Sequence, residues 1–259
     1  MRVSIVNLYG NEVLKNLGLI KDHGQSFLIS TGKERILYDT GGNSKILLNN
    51  MEKLGVAADS ITTLVLSHGH IDHTGGLPGF LDERVPGSRL PLIAHPGVLE
   101  KKIYKVLNLF KKQISFPPLT ESQHNKLSLE LSSQPQEITS MLQTTGEIIS
   151  RAEMHKIEPN ALHIEQGRWV IDPVTDDLSL VLNTKNGMVI ITGCAHSGIL
   201  NICRRVKQTS SEKIHAIIGG THMVRYAPDD VKYVAKKLVD DFDTPDLYLN
   251  HCTDYLPDP

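Results

Sequence analysis

Cysteine is scarce in this chain: Cys194, Cys203 and Cys252 are the only three in 259 residues, and no two form a Cys-x-x-Cys pair. An odd, widely spaced set excludes a secreted disulfide framework and a four-cysteine zinc knuckle, and it points to a reducing, cytoplasmic setting. No stretch approaches the roughly twenty apolar residues that a membrane span needs, so no membrane partner is expected. The amino terminus, Met1-Arg2-Val3-Ser4-Ile5-Val6-Asn7, lacks the apolar core and small-residue cleavage site of a signal peptide and reads as the start of a strand. Excess charge of one sign is missing too. The formal net charge of -2 gives no long-range field toward nucleic acid or anionic lipid.

What is present suits a large globular domain. Hydrophobic residues make up 40% and charged residues 22% of the chain, enough for a sizeable core and a normally solvated exterior. A single domain over residues 1–259 is the default. In the first half, Val3 to Leu8, Ser26 to Ile29, Arg35 to Tyr38, Ile61 to Leu66 and Pro91 to Ala94 read as short strands. Ile46, Leu47, Met51 and Leu54 recur near helical spacing, with Gly55 as a C-terminal cap. The second half repeats the rhythm. Leu178 to Leu182, Met188 to Thr192, His215 to Ile218 and Leu247 to Leu249 are strands, while Ile199, Ile202, Cys203 and Val206 share one helical face. Val231, Val234, Ala235, Leu238 and Val239 give the strongest amphipathic helix pattern. Two such halves predict paired sheets flanked by helices.

Residues from about 100 to 150 break this rhythm. Lys101, Lys102, Lys105, Lys111 and Lys112 surround Ile103, Val106, Leu107, Leu109 and Phe110, and a Ser/Gln/Pro-rich stretch follows. The pattern predicts a solvated helix and a surface-loop insertion, with a phosphate-binding lid as the alternative.

Chemistry concentrates in Ser67-His68-Gly69-His70-Ile71-Asp72-His73-Thr74-Gly75-Gly76, directly after a compact apolar run. Extended backbone repeats side-chain direction every two residues, so His68, His70 and Asp72 are expected to converge from one side while His73 points elsewhere, toward a neighbouring metal position. Gly69, Gly75 and Gly76 allow the tight backbone path. Imidazole and carboxylate suit a divalent metal, zinc first, with manganese or iron as alternatives.

This His-x-His-x-Asp-His segment resembles the signature of the metallo-β-lactamase superfamily. The resemblance extends through Asp39-Thr40-Gly41 and through Gly193-Cys194-Ala195-His196-Ser197-Gly198, and covers most of the chain outside the insertion. The Gly-Cys-Ala-His-Ser-Gly, Gly-Gly-Thr-His and His-Cys-Thr segments are similar to the branch of dihydropterin ribofuranosylaminobenzene-phosphate synthases and metal-dependent hydrolases. The resemblance implies an α/β fold of four layers, an αββα sandwich with two mixed sheets flanked by helices. It also implies His196 and His251 as metal ligands beside His68, His70, Asp72 and His73, and Asp39 as a residue that orients a histidine. His222 is a candidate for substrate contact or for supporting a ligand, and His95 for a structural role. Asp72 and His222 are the catalytic candidates.

Two positions depart from the pattern. Relatives carry a metal-bridging aspartate where Cys194 stands, so a thiolate ligand and a buried free cysteine are both open readings, and so are one or two bound ions. Cys203 is read as core, and Cys252 as pointing away from the site in extended geometry. Asp254 replaces a glycine of the resembling branch, and the further helix and strand which that branch implies do not follow it.

The resulting expectation is a metal-dependent hydrolase that uses metal-activated water on a small, phosphate- or carboxylate-bearing substrate. The alternatives are a synthase-like transferase acting on a phosphoribosyl donor and a non-catalytic metal-binding sensor. His70 occupies a position that is Glu in flavin-linked diiron relatives, which weighs against an oxidoreductase, and the near-neutral charge weighs against a nuclease. A homo-oligomer stays open.

Overall fold

The computed structural model describes residues 3–14, 16–87, 89–107, 110–243 and 246–253. Asp254, like Leu109 of the lysine-rich stretch, lies outside the described residues. In chain order the elements begin with strands β1 (Val3–Tyr9), β2 (Ser26–Thr31) and β3 (Glu34–Tyr38), helix α1 (Ser44–Lys53), β4 (Thr63–Val65), and helices α2 (Ile71–Thr74) and α3 (Leu77–Glu83). They continue with β5 (Leu90–Ala94), β6 (Lys102–Val106), β7 (Phe110–Gln113), α4 (Glu121–Asn125), β8 (Leu127–Leu131), β9 (Glu137–Thr139), β10 (Leu142–Thr144), β11 (Ala161–Glu165) and β12 (Arg168–Ile171). The last are β13 (Leu180–Thr184), β14 (Gly187–Thr192), α5 (Ile199–Thr209), β15 (Ile214–Gly219), α6 (Pro228–Phe242) and β16 (Asp246–Leu249).

Contacts group the chain into two compact units, Met1–Ser132 with Glu158–Asp172, and Ser133–Ile157 with Pro173–Pro259. The first holds a six-stranded sheet in the order β1-β2-β3-β4-β5-β8 and a four-stranded sheet in the order β12-β11-β6-β7. Strands β3, β4, β5 and β8 run parallel, with Tyr38 opposite Val65 and Val65 opposite Ile93. Their carboxyl ends therefore lie along one edge, where parallel sheets gather ligands. Leu37, Leu64, Leu66 and Leu92 pack against Leu47 and Met51 of α1 and Leu77, Phe80 and Leu81 of α3. Helix α1 starts where the Asn43 side chain accepts from the Lys45 N–H at 2.9 Å, and it stops at Gly55, whose φ of 67° suits the left-handed exit.

The second unit holds the order β16-β15-β14-β13-β10-β9. Strands β14, β15 and β16 are parallel and end level with one another, Thr192 opposite Gly219 and Gly219 opposite Leu249. One apolar face of α5 (Ile199, Ile202, Cys203, Val206) and one of α6 (Val234, Leu238, Phe242) form a core with Met188, Ile190, Ile214 and Ile217. Pro228 opens α6, and Asp229 and Asp230 in its first turn complement the helix dipole. No helix among the described residues is long and apolar enough to cross a membrane.

The lysine-rich stretch is a β-hairpin rather than the expected helix: β6 pairs antiparallel with β7, and β11 joins the other side of β6. Its Ile, Tyr, Val and Phe favour a pleated surface, and the stretch finds its partner in a strand far along the chain. Leu107 at φ 51° takes the left-handed turn conformation after β6. The segment after Val65 departs from the extended geometry expected of it as well. Ile71–Thr74 is a helical turn, so Asp72 and His73 leave the chain from a helix and not from a strand.

Candidate metal-binding site

The candidate residues fall into two groups, one in each unit. In the first, Asp39 follows β3 and Ser67, His68 and His70 follow β4, all at the parallel edge. Asp39 is fully buried and carries φ 62°, a strained conformation for a residue with a side chain. Its Oδ1 accepts the Ser67 N–H at 2.7 Å, and its Oδ2 accepts the Ser67 hydroxyl and the His73 Nδ1–H, each at 2.7 Å. Because the Ser67 proton is committed to Asp39, the Ser67 oxygen 2.9 Å from His68 Nδ1 accepts from that nitrogen. Both imidazoles are thereby held in the tautomer that leaves Nε2 with its lone pair.

The rings converge. His68 Nε2 lies 3.0 Å from His70 Nδ1, and the His68 and His73 ring centroids are 4.3 Å apart. The His68 and His73 rings touch, but the ligand atom of His73 groups with that of Asp72, and His68 falls in a separate group. The expectation corrected is that for Asp72, which the helical turn after His70 places with His73 rather than with His68. Asp72 Oδ2 stands 3.7 Å from His73 Nε2 and 3.3 Å from His23 Nε2, so the carboxylate faces the histidines from a half-buried position. Neighbouring nitrogens around a tetrahedral zinc are about 3.3 Å apart for bonds of about 2.05 Å. The 3.0 Å between His68 Nε2 and His70 Nδ1 and the 3.7 Å between His73 Nε2 and Asp72 Oδ2 are of that order, so the loop offers two donor pairs whose imidazole and carboxylate chemistry suits one or two divalent ions.

The backbone around them is tight. A Cβ on Gly69 would sit 2.4 Å from the Val98 carbonyl oxygen, and one on Gly76 would sit 2.0 Å from the Thr40 carbonyl oxygen. Both obstacles are backbone. Gly69→Ala is expected to cost about 1–3 kcal/mol in urea unfolding, as overpacked sites do, and to lower metal content, because the displaced atoms join His68 to His70. Wild-type stability together with wild-type metal content would contradict this account of the loop.

Three neighbours escaped the sequence reading. Lys102 at the start of β6 is 1% exposed and pairs with Asp172, just past β12, at 3.2 Å, and Asp172 Oδ2 lies 4.0 Å from His70 Nε2. A lone lysine among several and an Asp-Pro turn gave no cue, since their proximity comes from pairing β6 with β11. The third is His23, which reaches Asp72. Ile71 N–H donates to the Ile114 carbonyl at 2.9 Å, tying the chain just past β7 to the helical turn that carries Asp72 and His73. His95 follows β5 and accepts the Gly97 N–H on its Nδ1 at 3.0 Å, a turn-capping role.

In the second unit, Cys194 and His196 follow β14, His222 follows β15, and His251 and Cys252 follow β16. Ala195, His222 and His251 all have positive φ, at 56°, 51° and 54°. Such strain gathers where side chains must be aimed. The His196 and His222 rings lie 4.2 Å apart. Asp177, fully buried, accepts the Ser197 N–H at 2.8 Å, and burial pushes its carboxyl above the usual range. Cys203 belongs to the core, as its helix face predicted.

Cys252 is the second correction. His251–Thr253 is a short 3-10 turn, not extended chain, so the Cys252 side chain turns inward, and its Sγ accepts the His222 N–H at 3.2 Å. Burial raises its thiol, but the side chains of Cys194 and His222 and the charges of His251 and His222 outweigh this and hold it well below the ordinary thiol range.

Residues 20–203 match the model of the metallo-beta-lactamase superfamily. The chain is 32% identical over 254 residues to the 7,8-dihydropterin-6-methyl-4-(beta-D-ribofuranosyl)-aminobenzene-5'-phosphate synthase of Methanocaldococcus jannaschii, covering 90% of this chain and 81% of that protein. A second, uncharacterized protein of the same organism is 29% identical over 237 residues, covering 90% of this chain and 84% of its own length. Among solved structures, a metal-dependent hydrolase of the beta-lactamase superfamily superposes with a TM-score of 0.80 at 24% identity, over 98% of this chain and 89% of that one. That last likeness shows the fold: mixed sheets with flanking helices, as the sequence resemblance implied. Since the match begins ahead of Asp39, runs through the histidine loop and continues past Cys194, this chain belongs to the metallo-beta-lactamase superfamily.

Proposed function

We propose that the protein is a metal-dependent enzyme that hydrolyses a small anionic substrate, with His68, His70, His73 and Asp72 holding one or two divalent ions, zinc in the first instance, and with His196 and His251 as candidate ligands in their own unit. The observation that carries this reading is the buried Asp39 carboxylate, which fixes the His68 and His73 tautomers through Ser67 and directly. That arrangement has little use in a merely structural core, where a single satisfied histidine would do. When bound, a divalent ion lowers the pKa of water from about 16 toward about 7 and polarises a carbonyl or phosphoryl oxygen. Asp72, partly exposed and held near His23, accepts the hydrogen bond of the attacking water and orients it. Lys105, Lys111 and Lys112 lie on the β6–β7 hairpin, anchored to the histidine loop through Ile114, and supply positive charge for an anionic group. His222 serves the substrate or the ligands in its own unit. Three buried cysteines outside any disulfide suit a reducing cytoplasm.

A second reading, group transfer in place of hydrolysis, is favoured by the 32% identity to a synthase. Its name describes a ribofuranosyl-aminobenzene phosphate, so a phosphoribosyl donor and an aminobenzoate are the natural probes. The test is a panel of phosphodiesters, lactones and thioesters, and separately the donor with 4-aminobenzoate, each with metal-stripped and zinc- or manganese-loaded protein. Metal-dependent turnover that disappears in His68→Ala is the expected result, and the productive arm decides between hydrolysis and transfer. Equal rates with and without metal, or full activity in His68→Ala, would overturn the proposal.

A further inference from the structure

Three buried or half-buried side chains of the second unit come together with no part assigned to them as a set. Strands β14, β15 and β16 are neighbouring, parallel and level at their carboxyl ends. The chain leaving each one delivers a soft or borderline donor to this point: Cys194 two residues after Thr192, His222 three after Gly219, and Cys252 three after Leu249. A ligand atom from each of the three lies within 4.8 Å of the others. Cys194 is 3% and Cys252 7% exposed.

The backbone is shaped around this meeting point. A Cβ on Gly220 would sit 2.6 Å from Cys252 Sγ and 2.5 Å from the Gly193 carbonyl oxygen, so the position next to the sulfur has room for glycine alone. His222 adopts φ 51°, a conformation that costs a non-glycine residue about 1 kcal/mol or more, and its own N–H donates to Cys252 Sγ. Cys203, buried on α5, shows what a merely structural cysteine looks like here: it has apolar helix and sheet neighbours and no such company.

We propose that Cys194, His222 and Cys252 form a thiolate-rich site for a thiophilic d10 ion of the zinc class, distinct in its ligands from the His68, His70, Asp72 and His73 set. Thiolate and imidazole are the donors that select zinc or copper(I) over magnesium, calcium or manganese. Two thiolates and one neutral imidazole balance the charge of a zinc ion, which makes the site tolerable in a buried place, and three protein ligands leave one coordination position open. Binding transfers whatever thiol protons the site still holds to solvent or buffer. The proposal rests on the geometry of one unit and needs no enzymatic activity.

The test uses the full-length protein loaded with cobalt(II) under reducing conditions. Thiolate bound to cobalt gives an intense near-ultraviolet charge-transfer absorption that histidine and carboxylate ligands do not give. The expected result is that absorption in the wild type and in His68→Ala, its loss in Cys194→Ser and in Cys252→Ser, and its retention in Cys203→Ser. Cys252→Ser should also hold about one zinc ion fewer per chain than the wild type. Serine keeps the size of the side chain and its hydrogen bond to His222, and circular dichroism establishes that each variant is folded. Absence of the absorption in cobalt-loaded wild type, or its persistence in folded Cys252→Ser, would overturn the site, as would a Cys194–Cys252 disulfide in protein kept reduced. Failure of the enzymatic reading appears instead as inactivity of metal-loaded wild type, which leaves the cobalt spectrum untouched.

Discussion

Asp39→Ala is expected to lower the stability of the protein by about 3–5 kcal/mol, because three buried donors lose one acceptor and each unsatisfied group costs about 1–3 kcal/mol. The donors are the Ser67 N–H, the Ser67 hydroxyl and His73 Nδ1–H. The more telling variant is Asp39→Asn. An amide of the same shape offers one oxygen where the carboxylate offers two, so either the Ser67 N–H or the Ser67–His73 pair faces an NH2 group. His73 and, through Ser67, His68 then lose the bonds that fix their tautomers. Zinc affinity should fall about 10–100-fold, the usual effect of removing an outer partner of a ligating histidine, while urea unfolding changes less than in Asp39→Ala. Competition against a chromophoric chelator measures the affinity. If Asp39→Asn binds zinc as the wild type does, the carboxylate does not prepare the histidines.

Breaking the buried Lys102–Asp172 pair should have an effect of similar size. Both side chains are almost wholly inaccessible and stand 3.2 Å apart, so Lys102→Met strands a carboxylate away from water and is expected to cost about 3–5 kcal/mol. Replacing both partners, in Lys102→Met with Asp172→Leu, should recover most of that loss, since apolar residues of similar volume often substitute for a buried pair at little cost. Stability alone would then suggest a neutral exchange. Metal binding should separate the two roles: Asp172 faces His70 Nε2 at 4.0 Å, so the double variant is expected to stay folded and yet bind zinc more weakly. A double variant as unstable as the single would show that the two charges are not coupled, and one with unchanged zinc affinity would remove Asp172 from the support of His70.

The two variants probe different kinds of information in the chain. Asp39 is legible in the sequence, because an Asp-Thr-Gly turn closing a strand sits at a sheet edge whatever that strand pairs with. Lys102 is not. In a lysine-rich stretch its burial follows from the β6–β11 pairing, which brings Asp172 beside it through residues far along the chain. The same pairing turned an expected helix into a hairpin. Near the site, local geometry misled twice in one way: extended chain was assumed after β4 and after β16, where a helical turn and a 3-10 turn redirect Asp72 and Cys252.

By itself the sequence determined what depends on neighbours along the chain: the apolar periods that make α1, α5 and α6, the β-branched runs of the two halves, the glycines of the tight loop, and the spacing of His68, His70, Asp72 and His73. Tertiary structure alone decided which residues from separate strands meet, namely Asp172 with His70 and Lys102, and Cys194 with His222 and Cys252. The reason is that hydrophobic period and turn chemistry are local properties, whereas sheet order and strand register arise from burial and backbone pairing across long loops. A side chain's partners are set by that register and not by its place in the sequence.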